Sequence, residues 1–232
     1  MSDDLLDNPA FAALQHAHAG LGRSSDLAAV YDPLISPLAG LAEPTIDALR
    51  DLAGLVSPGV GVGVLSTQLM LPESADWRLV RVMTLHQMVC DKPPEQPESF
   101  DELAPPDARE MVALAELTEP GPFLERTIEM GRYVGARIDG RLVAMAGERM
   151  KPPGWTEISG VCTHPEARGR GLARRLVLNV LAHCFDRGDR AFLHVVAGSP
   201  SEATAIGVYE TLGFEQRVPI YAHVLLREGA RD

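Results

Sequence analysis

The sequence predicts an α/β protein of the α+β kind. Three observations lead to this fold class. Apolar residues make up 46% of the 232-residue chain, enough for a sizeable core. The second half alternates runs typical of strands with patterns at helical spacing, in the order α-β-β-β-α-β-α-β. The chain shows no repeat at the period of a solenoid.

Composition excludes several classes of protein. The 21 basic and 32 acidic residues give a net charge of −11, which argues against general binding to nucleic acid or membrane surfaces. No apolar run approaches the ~18 residues that a membrane helix needs, and no leader pattern is visible. Cys90, Cys162 and Cys184 are odd in number and lack CxxC spacing, as expected for reduced thiols. We therefore expect a cytoplasmic protein without a metal, nucleic-acid or membrane partner.

The chain divides into two parts around a segment rich in proline and acid. This segment, "DKPPEQPESFDELAPPD", covers residues 91–107. Proline denies the backbone its ladder donors and the charges favour water, so the segment is predicted to be a linker. We accordingly expect an N-terminal α/β region over 1–90 and a C-terminal domain over 108–232.

The N-terminal region is predicted to begin with alanine-rich helices and to end with two strands. "EPTIDALRDLAGL" places Ile46, Leu49 and Ala53 on one helical face, with Pro44 suited to the first turn. "GVGVLST" and "WRLVRVMTLHQMVC" have strand character. The glycines in "GVGVG" have GxGxG spacing without the step into a helix of a phosphate loop, so they favour a strand or tight turn.

The C-terminal region opens with a helix and a hairpin. "DAREMVALAEL" predicts a helix that starts near Asp107. "RYVGARIDGRLVAMAGERM" predicts a hairpin with Asp139-Gly140 as its two-residue turn. "WTEISGVCTHP" predicts a strand that stops at Pro165.

The remaining elements alternate helix and strand. A helix is expected to run to about Phe185, and "AFLHVVAG" predicts a strand. In "SEATAIGVYETLGF" we expect a helix capped by Ser201 and ended by Gly213. "RVPIYAHVLLRE" has strand character.

The turn "HPEARGRGLARRL" is unusually basic for an acidic protein. Strand, glycine-rich turn and helix form an arrangement that binds phosphate, because the first helical turn offers N–H groups without partners. Gly169 and Gly171 let the backbone approach an anion closely, and arginine matches phosphate oxygens. The sequence favours a ligand with a polyphosphate, and the plainer alternative is a solvated basic turn. Four arginines lie within eight positions: Arg168, Arg170, Arg174 and Arg175.

This turn resembles motif A of the GNAT acetyltransferase superfamily. There an Arg/Gln-x-x-Gly-x-Gly/Ala turn grips the pyrophosphate of acetyl-CoA, and Arg168-Gly169-Arg170-Gly171-Leu172-Ala173 matches it, after a V-x-x-H-P strand end. About forty residues later, "AIGVYETLGF" is similar to the family's second signature, A-x-x-x-Y-x-x-x-G-F. The order of elements also agrees between about Arg109 and Arg227. The resemblance covers a little over half the chain.

The resemblance implies a GNAT fold, in which helices flank a mixed central sheet that is splayed at the site for acetyl-CoA. In that family the strand before motif A splays from the next strand, and pantetheine lies in the gap. Mapped here, Val161, Cys162 and Thr163 would bind pantetheine, and the backbone N–H of Val161 would hold the oxyanion. The cofactor-binding turn would comprise Arg168, Gly169, Arg170, Gly171, Leu172 and Ala173. No metal is implied.

The resemblance also implies catalytic residues. Tyr209 occupies the position of the family's tyrosine, whose hydroxyl serves as the acid for the departing thiolate; the alternative is a packing aromatic. Glu157 stands near the head of the splayed strand, where some members carry a general base; the alternative is a solvated carboxylate. Glu148 and Glu202 compete for the role of base. For Cys162, a buried strand cysteine is favoured over an acyl-carrying nucleophile.

Two functions remain open at this point. The first is an N-acetyltransferase that moves an acetyl or related acyl group from CoA to an amine, on a small molecule or a protein. The second is an acyl-CoA-binding sensor or scaffold without turnover. The N-terminal region suits a degenerate GNAT-like half, a substrate-shaping domain or a dimerising domain, so a homodimer is also left open.

Overall fold

The computed structural model describes residues 3–94 and 97–229. Short helical turns connect several of the regular elements. Five α-helices are present in the described residues: α1 Pro9–Leu14, α2 Ile46–Leu55, α3 Ala108–Thr118, α4 Leu172–Asp186 and α5 Glu202–Thr211. The strands of the described part are β1 Gly22–Ser24, β2 Ala28–Tyr31, β3 Leu38–Leu41, β4 Gly61–Ser66, β5 Trp77–Cys90, β6 Asp101–Leu103, β7 Tyr133–Ile138, β8 Arg141–Glu148, β9 Trp155–Thr163, β10 Arg190–Val196 and β11 Glu215–Arg227.

All of these strands join one mixed sheet, flanked by helices. The order is β1-β2-β3-β4-β11-β5-β10-β9-β8-β7-β6. Two neighbouring pairs are parallel, β3 with β4 and β10 with β9, and the others are antiparallel. Each parallel pair is connected through a helix, α2 in the first case and α4 in the second. The predicted mixed α/β sheet architecture is therefore confirmed.

The two halves of the sheet have similar arrangements of strands. On one side the series β1-β2-β3-β4 contains one parallel pair with its crossover helix α2; on the other, β7-β8-β9-β10 contains one with α4. The strand that follows each series in the chain pairs with the other series. β5 follows β4 in sequence but pairs with β10, and β11 follows β10 in sequence but pairs with β4, so these two strands are exchanged. The long β5 and β11 also pair with each other, so they join the two series at the centre of the sheet.

Most elements predicted for the C-terminal part are confirmed. The α3 helix starts directly after Asp107. The hairpin turns at Asp139 and Gly140, which both have positive φ angles of 50° and 80°. This is the backbone that a two-residue turn of this kind requires. Beyond α5, Gly213 adopts a φ of 87° and ends the helix as expected.

Several local predictions were wrong. Ile46 is 49% exposed, whereas Leu49 and Ala53 are buried as predicted, and α2 also buries Ala48 and Leu52. Ser201 makes no capping bond with its side chain in the described structure. The predicted linker includes β6, which pairs with β7. Sequence analysis also missed three short strands, β1, β2 and β3, where alanine-rich sequence suggested helix.

Candidate active site

The first feature of the site is an opening between β9 and β10. The two strands pair in parallel only at their beginnings, from Arg190 opposite Trp155 to Phe192 opposite Glu157. Beyond that point the described structure contains no further pair between them. On its other side β9 stays paired with β8 as far as Thr163. One edge of β9 over residues 158–163 is therefore free for a ligand, as the resemblance implied.

A bulge in β9 marks where the strands diverge. Cys162 faces Met145 and Ser159 faces Gly147, so β9 has one more residue than β8 between these pairs. The extra length includes Gly160, whose φ is +63°. A bulge of this kind bends its strand and increases the local twist. It thus turns the second half of β9 away from β10.

The second feature is the turn that leads into α4. Gly169 and Gly171 have φ angles of 76° and 69°, which side chains with a Cβ rarely adopt. Gly171 is the N-cap of α4, so no side chain caps the helix there. The first N–H groups of α4, on Leu172 and Ala173, have no intrahelical acceptor. This turn therefore presents N–H donors and the positive end of a 15-residue helix to an anion.

The arginines of the turn divide into two kinds. Arg175 is engaged, because it pairs with Glu98 and lies over the ring of Phe100. Arg170 and Arg174 are exposed and have no ion-pair partner among the described residues. Arg168 is also exposed, and its Nε donates to the carbonyl oxygen of Thr163 at 3.3 Å. Three guanidinium groups can thus approach an anion at this turn.

The third feature is a groove, about 450 Å³ in volume, that connects the opening to the turn. Its lining comes from β9 and from the ends of α3, α4 and α5. Side chains alternate along β8. Ala144 and Ala146 pack in a hydrophobic cluster with Leu176 and Val180 of α4, the α4 cluster, whereas Met145 packs in a second one with Met111 of α3, the α3 cluster. Because α3 and α4 lie on opposite faces of the sheet, the groove passes through the sheet at the opening.

The hydroxyl groups of Tyr209 and Thr163 are two of those that line this groove. Tyr209, half-buried on α5, packs edge-to-face with Phe214 at 5.8 Å. Burial raises the pKa of Tyr209 to about 12, so its hydroxyl stays protonated at neutral pH. The Oγ1 of Thr163 is buried and has no hydrogen-bond partner in the described structure. A buried hydroxyl without a partner is costly, so it marks a place where a ligand is expected.

Cys162 also lines the groove. Burial raises the pKa of its thiol to about 11, so the thiolate needed for nucleophilic attack is rare at neutral pH. The backbone of Cys162 lies on the free edge of β9, while its side chain packs with the α3 cluster. The geometry therefore suits a backbone contact and does not suit a covalent role.

Glu157 lies at the root of the opening, in a buried ion pair. Its two carboxylate oxygens each accept from Arg149 at 2.7 Å, and one also contacts His194 Nδ1 at 2.8 Å. Burial alone would raise the pKa of Glu157, but the charge and hydrogen bonds of Arg149, with His194, lower it to about 2. A carboxylate held so firmly in its ionised form is a weak proton acceptor. The side chain is 1% exposed, so it does not face the open space that sequence analysis expected.

His194 is fixed by a further partner. Gln87 Oε1 accepts from Arg217 at 2.7 Å, which orients the amide so that its Nε2 faces His194 Nε2 at 3.1 Å. His194 therefore accepts from Gln87 and donates from Nδ1 to Glu157. Sequence analysis missed Arg149 and His194. The spacing gave no signal for them, because Arg149 reaches Glu157 across the turn between β8 and β9.

The competing carboxylates are also engaged. Glu148 pairs with Lys151 and with Arg187, each at 2.7 Å; burial acts to raise its pKa, but these cations lower it overall. Glu202 accepts from the backbone N–H of Gly198 at 2.6 Å and contacts His86, and both contacts lower its pKa. Neither residue lines the groove. Among the described residues, no three metal-ligating side chains come together.

In the described parts of the chain, no helix combines the length and the apolar character required to cross a bilayer.

Comparisons with known proteins agree with this geometry. The model of the FR47-like protein family matches residues 133–222, which include β9, the turn, α4 and Tyr209. A curated relative, the N-alpha-acetyltransferase RimI of Mycobacterium tuberculosis, is 36% identical over 87 residues. That match covers 36% of this chain and 52% of the relative, so the chain spans about half the length of the curated relative it matches.

Solved structures extend the likeness to the whole chain. A GNAT-family protein from Novosphingobium aromaticivorans is 38% identical, with a TM-score of 0.87 over 97% of this chain and 99% of that one. A GCN5-related N-acetyltransferase from Kribbella flavida is 18% identical, with a TM-score of 0.60 over 96% of both chains, which shows the fold alone. The identity and coverage of the Novosphingobium protein establish the family. The chain belongs to the GNAT family of acetyltransferases.

Proposed function

We propose that the protein is an N-acyltransferase that moves an acetyl or related acyl group from acyl-CoA to the nitrogen of an amine. One observation carries the proposal: a groove passes through the sheet where the anion-binding turn, the free edge of β9 and Tyr209 meet. A donor on the α4 and α5 face and an acceptor from the α3 face can meet there. The mycobacterial relative, an N-alpha-acetyltransferase by name, supports the same reaction class.

The residues of the groove fit acetyl-CoA as the donor. The uncapped start of α4, with Arg168 and Arg170 beside it, suits the diphosphate. The free edge of β9 at Val161, Cys162 and Thr163 offers backbone groups to the amide-bearing pantetheine, as an edge strand does to an added strand. The unpartnered Thr163 hydroxyl lies in the same groove. When bound, acetyl-CoA supplies the thioester.

The transfer needs two contributions from the chain, a donor to the oxyanion and an acid for the departing sulfur. The amine nitrogen bonds to the carbonyl carbon while the carbon–sulfur bond breaks, and the nitrogen loses a proton to solvent water. The backbone N–H of Val161 donates to the carbonyl oxygen as negative charge grows there. Tyr209, whose hydroxyl is protonated at neutral pH, gives its proton to the departing sulfur. The tyrosine then regains a proton from water.

Glu157 has a different role in this proposal from the direct base of the sequence prediction. Arg149 and His194 already occupy its oxygens, and its pKa is about 2. It fixes the first part of β9 against β8 and β10, where the opening begins. We therefore assign Glu157 as a positioning residue and the proton acceptor as water.

The decisive experiment measures both binding and turnover. Calorimetry with acetyl-CoA reports binding, and thiol release with a panel of amines, followed by mass spectrometry of the amines, reports transfer. Amine-dependent thiol release with an acetylated product is expected. Tight binding without transfer to any amine would favour the alternative of a non-catalytic acyl-CoA sensor. Absence of binding would overturn both.

A further inference from the structure

Glu119 occupies an unusual position at the acceptor side of the groove. It follows α3 directly and lines the groove together with Thr118 and Pro120. Of the described residues that line the groove, Glu119 is the only carboxylate. The α3 helix packs on the sheet face opposite α4, so Glu119 approaches the opening from the side away from the anion-binding turn.

The backbone of Glu119 is strained. Its φ and ψ are 50° and 53°, the left-handed conformation in which helices commonly end with glycine. Among the described residues, Asp139 is the only other non-glycine residue with a positive φ. Aspartate tolerates this region better than glutamate. Glu119 also precedes Pro120, which favours an extended conformation in the residue before it. Such strain is typical of positions where the side chain serves a function.

The carboxylate of Glu119 is available for a ligand. It is exposed, and no ion pair or side-chain hydrogen bond joins it to any described residue. This sets it apart from Glu148, Glu157 and Glu202, whose oxygens are all engaged. The segment that follows, "PGP" at 120–122, restricts the backbone through its two prolines. The proline-containing segment thus restricts the position of a free carboxylate at the entrance of the groove.

We infer that Glu119 selects the acceptor by its charge: its carboxylate binds a second cationic group of the acceptor, so that the site prefers amines with a neighbouring ammonium or guanidinium. The inference rests on the proposed function, because it places the acceptor on the α3 face. The same chemistry occurs in a small diamine and in a peptide whose second residue is basic. An acceptor with an acidic group near its amine is disfavoured by repulsion.

The test compares matched acceptors on wild type and Glu119→Gln. The small-molecule arm uses 1,4-diaminobutane and butylamine; the peptide arm uses two peptides with lysine or glutamate at the second position. We expect Glu119→Gln to lower kcat/KM about tenfold for the doubly charged acceptors, with little change for butylamine and for the KM of acetyl-CoA, since a hydrogen bond to a charged group contributes at least that much. Glu119→Asp keeps the charge and should restore part of the preference.

Glu116→Gln is the matched control. Glu116 lies in the last turn of α3, three residues before Glu119, is exposed and does not line the groove. Its replacement should therefore leave the preference unchanged. An unchanged preference in a folded Glu119→Gln variant would overturn the inference while the proposed function stands. If wild type acetylates no amine, calorimetry of 1,4-diaminobutane in the presence of CoA decides instead: equal affinity in wild type and Glu119→Gln refutes the inference, and weaker affinity in the variant supports it. A loss of preference seen only with the small amines indicates a small-molecule acceptor, and one seen only with the peptides indicates a protein acceptor.

Discussion

The starts of α2 and α4 occupy equivalent places in the two series of strands, yet they have opposite chemistry. The α2 helix is capped by Thr45, whose Oγ1 accepts from the N–H of Ala48 at 3.2 Å, and Asp47 lies in its first turn. The α4 helix starts at a glycine without a cap, has no acid in its first turn, and is surrounded by arginines. Of these two crossover helices, only α4 therefore has the open and basic first turn that suits an anion.

The cavities beside these two helices differ in the same way. The cavity at the end of β3 and β4 has a volume of about 170 Å³, and the residues around it include Asp4, Asp7 and Glu43. Asn8 closes it further by donating from its side chain to the carbonyl oxygen of Leu41. The groove beside α4 is about 450 Å³ and has Arg168 in its lining. The repeated strand order is what a degenerate GNAT-like half would give, and that origin of the N-terminal region stays a prediction.

The largest expected effect concerns Tyr209 on α5. The N-terminal series has no equivalent residue, since no helix lies between β4 and β5. Tyr209→Phe removes one hydroxyl and little packing. We expect kcat to fall ~10²–10⁴-fold, the usual contribution of general acid catalysis, with acetyl-CoA affinity unchanged. Steady-state kinetics and calorimetry check both parts. A variant that turns over at the wild-type rate would reduce Tyr209 to a packing residue.

The second effect concerns the ion pair between Glu157 and Arg149, where the opening begins. β3, which corresponds to β9 in the N-terminal series, is wholly apolar. Glu157→Gln leaves Arg149 buried without its partner, which should cost about 3 kcal/mol of stability at pH 7. Because folding lowers the pKa of Glu157 to about 2, the stabilisation is complete above the unfolded pKa near ~4 and is lost as pH falls toward 2. The difference between wild type and variant should therefore shrink on acidification, as denaturant unfolding across pH will show.

A double variant and a pH profile of turnover test the role of Glu157 further. The double variant Arg149→Met/Glu157→Leu removes both charges and should be less destabilised than Glu157→Gln. The pH profile of turnover separates positioning from base catalysis. A positioning residue gives a uniform loss of rate, whereas a loss confined to neutral pH that recovers at high pH would restore Glu157 as the base.

The third effect concerns the open turn itself. Gly171→Asp places a like charge where the diphosphate is expected, so the affinity for CoA should fall more than tenfold, or ~1.4 kcal/mol. Gly188→Asp is the matched control, because Gly188 also has a positive φ and open space around it, at the other end of α4. Both variants should lose similar stability, and calorimetry should find weak CoA binding only for Gly171→Asp. Equal affinities would place the diphosphate elsewhere.

The smallest effect concerns the capped helix. Thr45→Ala should lower the free energy of unfolding by about 1 kcal/mol, because the N–H of Ala48 loses its acceptor. CoA affinity should not change, since this helix has no role in the anion site. A change in CoA affinity would show that the two series share the ligand.

The parts of the fold that local pattern encodes were predictable. The bounds of β5 match the stretch that was predicted to have strand character. The hairpin at Asp139-Gly140 follows from turn chemistry, and the start of α3 was placed next to Asp107. The four-residue strands β2 and β3 were missed because every residue in them is buried, so they show no alternation. β6 was missed because its partner, β7, lies some thirty residues away.

The site was predictable where its chemistry lies in one contiguous stretch. The turn from Arg168 to Ala173 is such a stretch. The environment of Glu157 was not, because Gln87, Arg149 and His194 come from three other parts of the chain and meet only in the folded sheet. Glu119 gave no sequence signal, since its strain and its place at the groove are properties of the assembled backbone.

The exchange of β5 and β11 has a consequence for synthesis on the ribosome. The edges of β4 and β5 both pair with β11, so they stay bare until residues 215–227 have emerged from the exit tunnel. Unpaired edges of this kind promote aggregation, and contacts so distant in sequence form slowly. A nascent chain stalled after β10 would expose them for as long as it waits, so we expect its tendency to aggregate to be greatest at that stage.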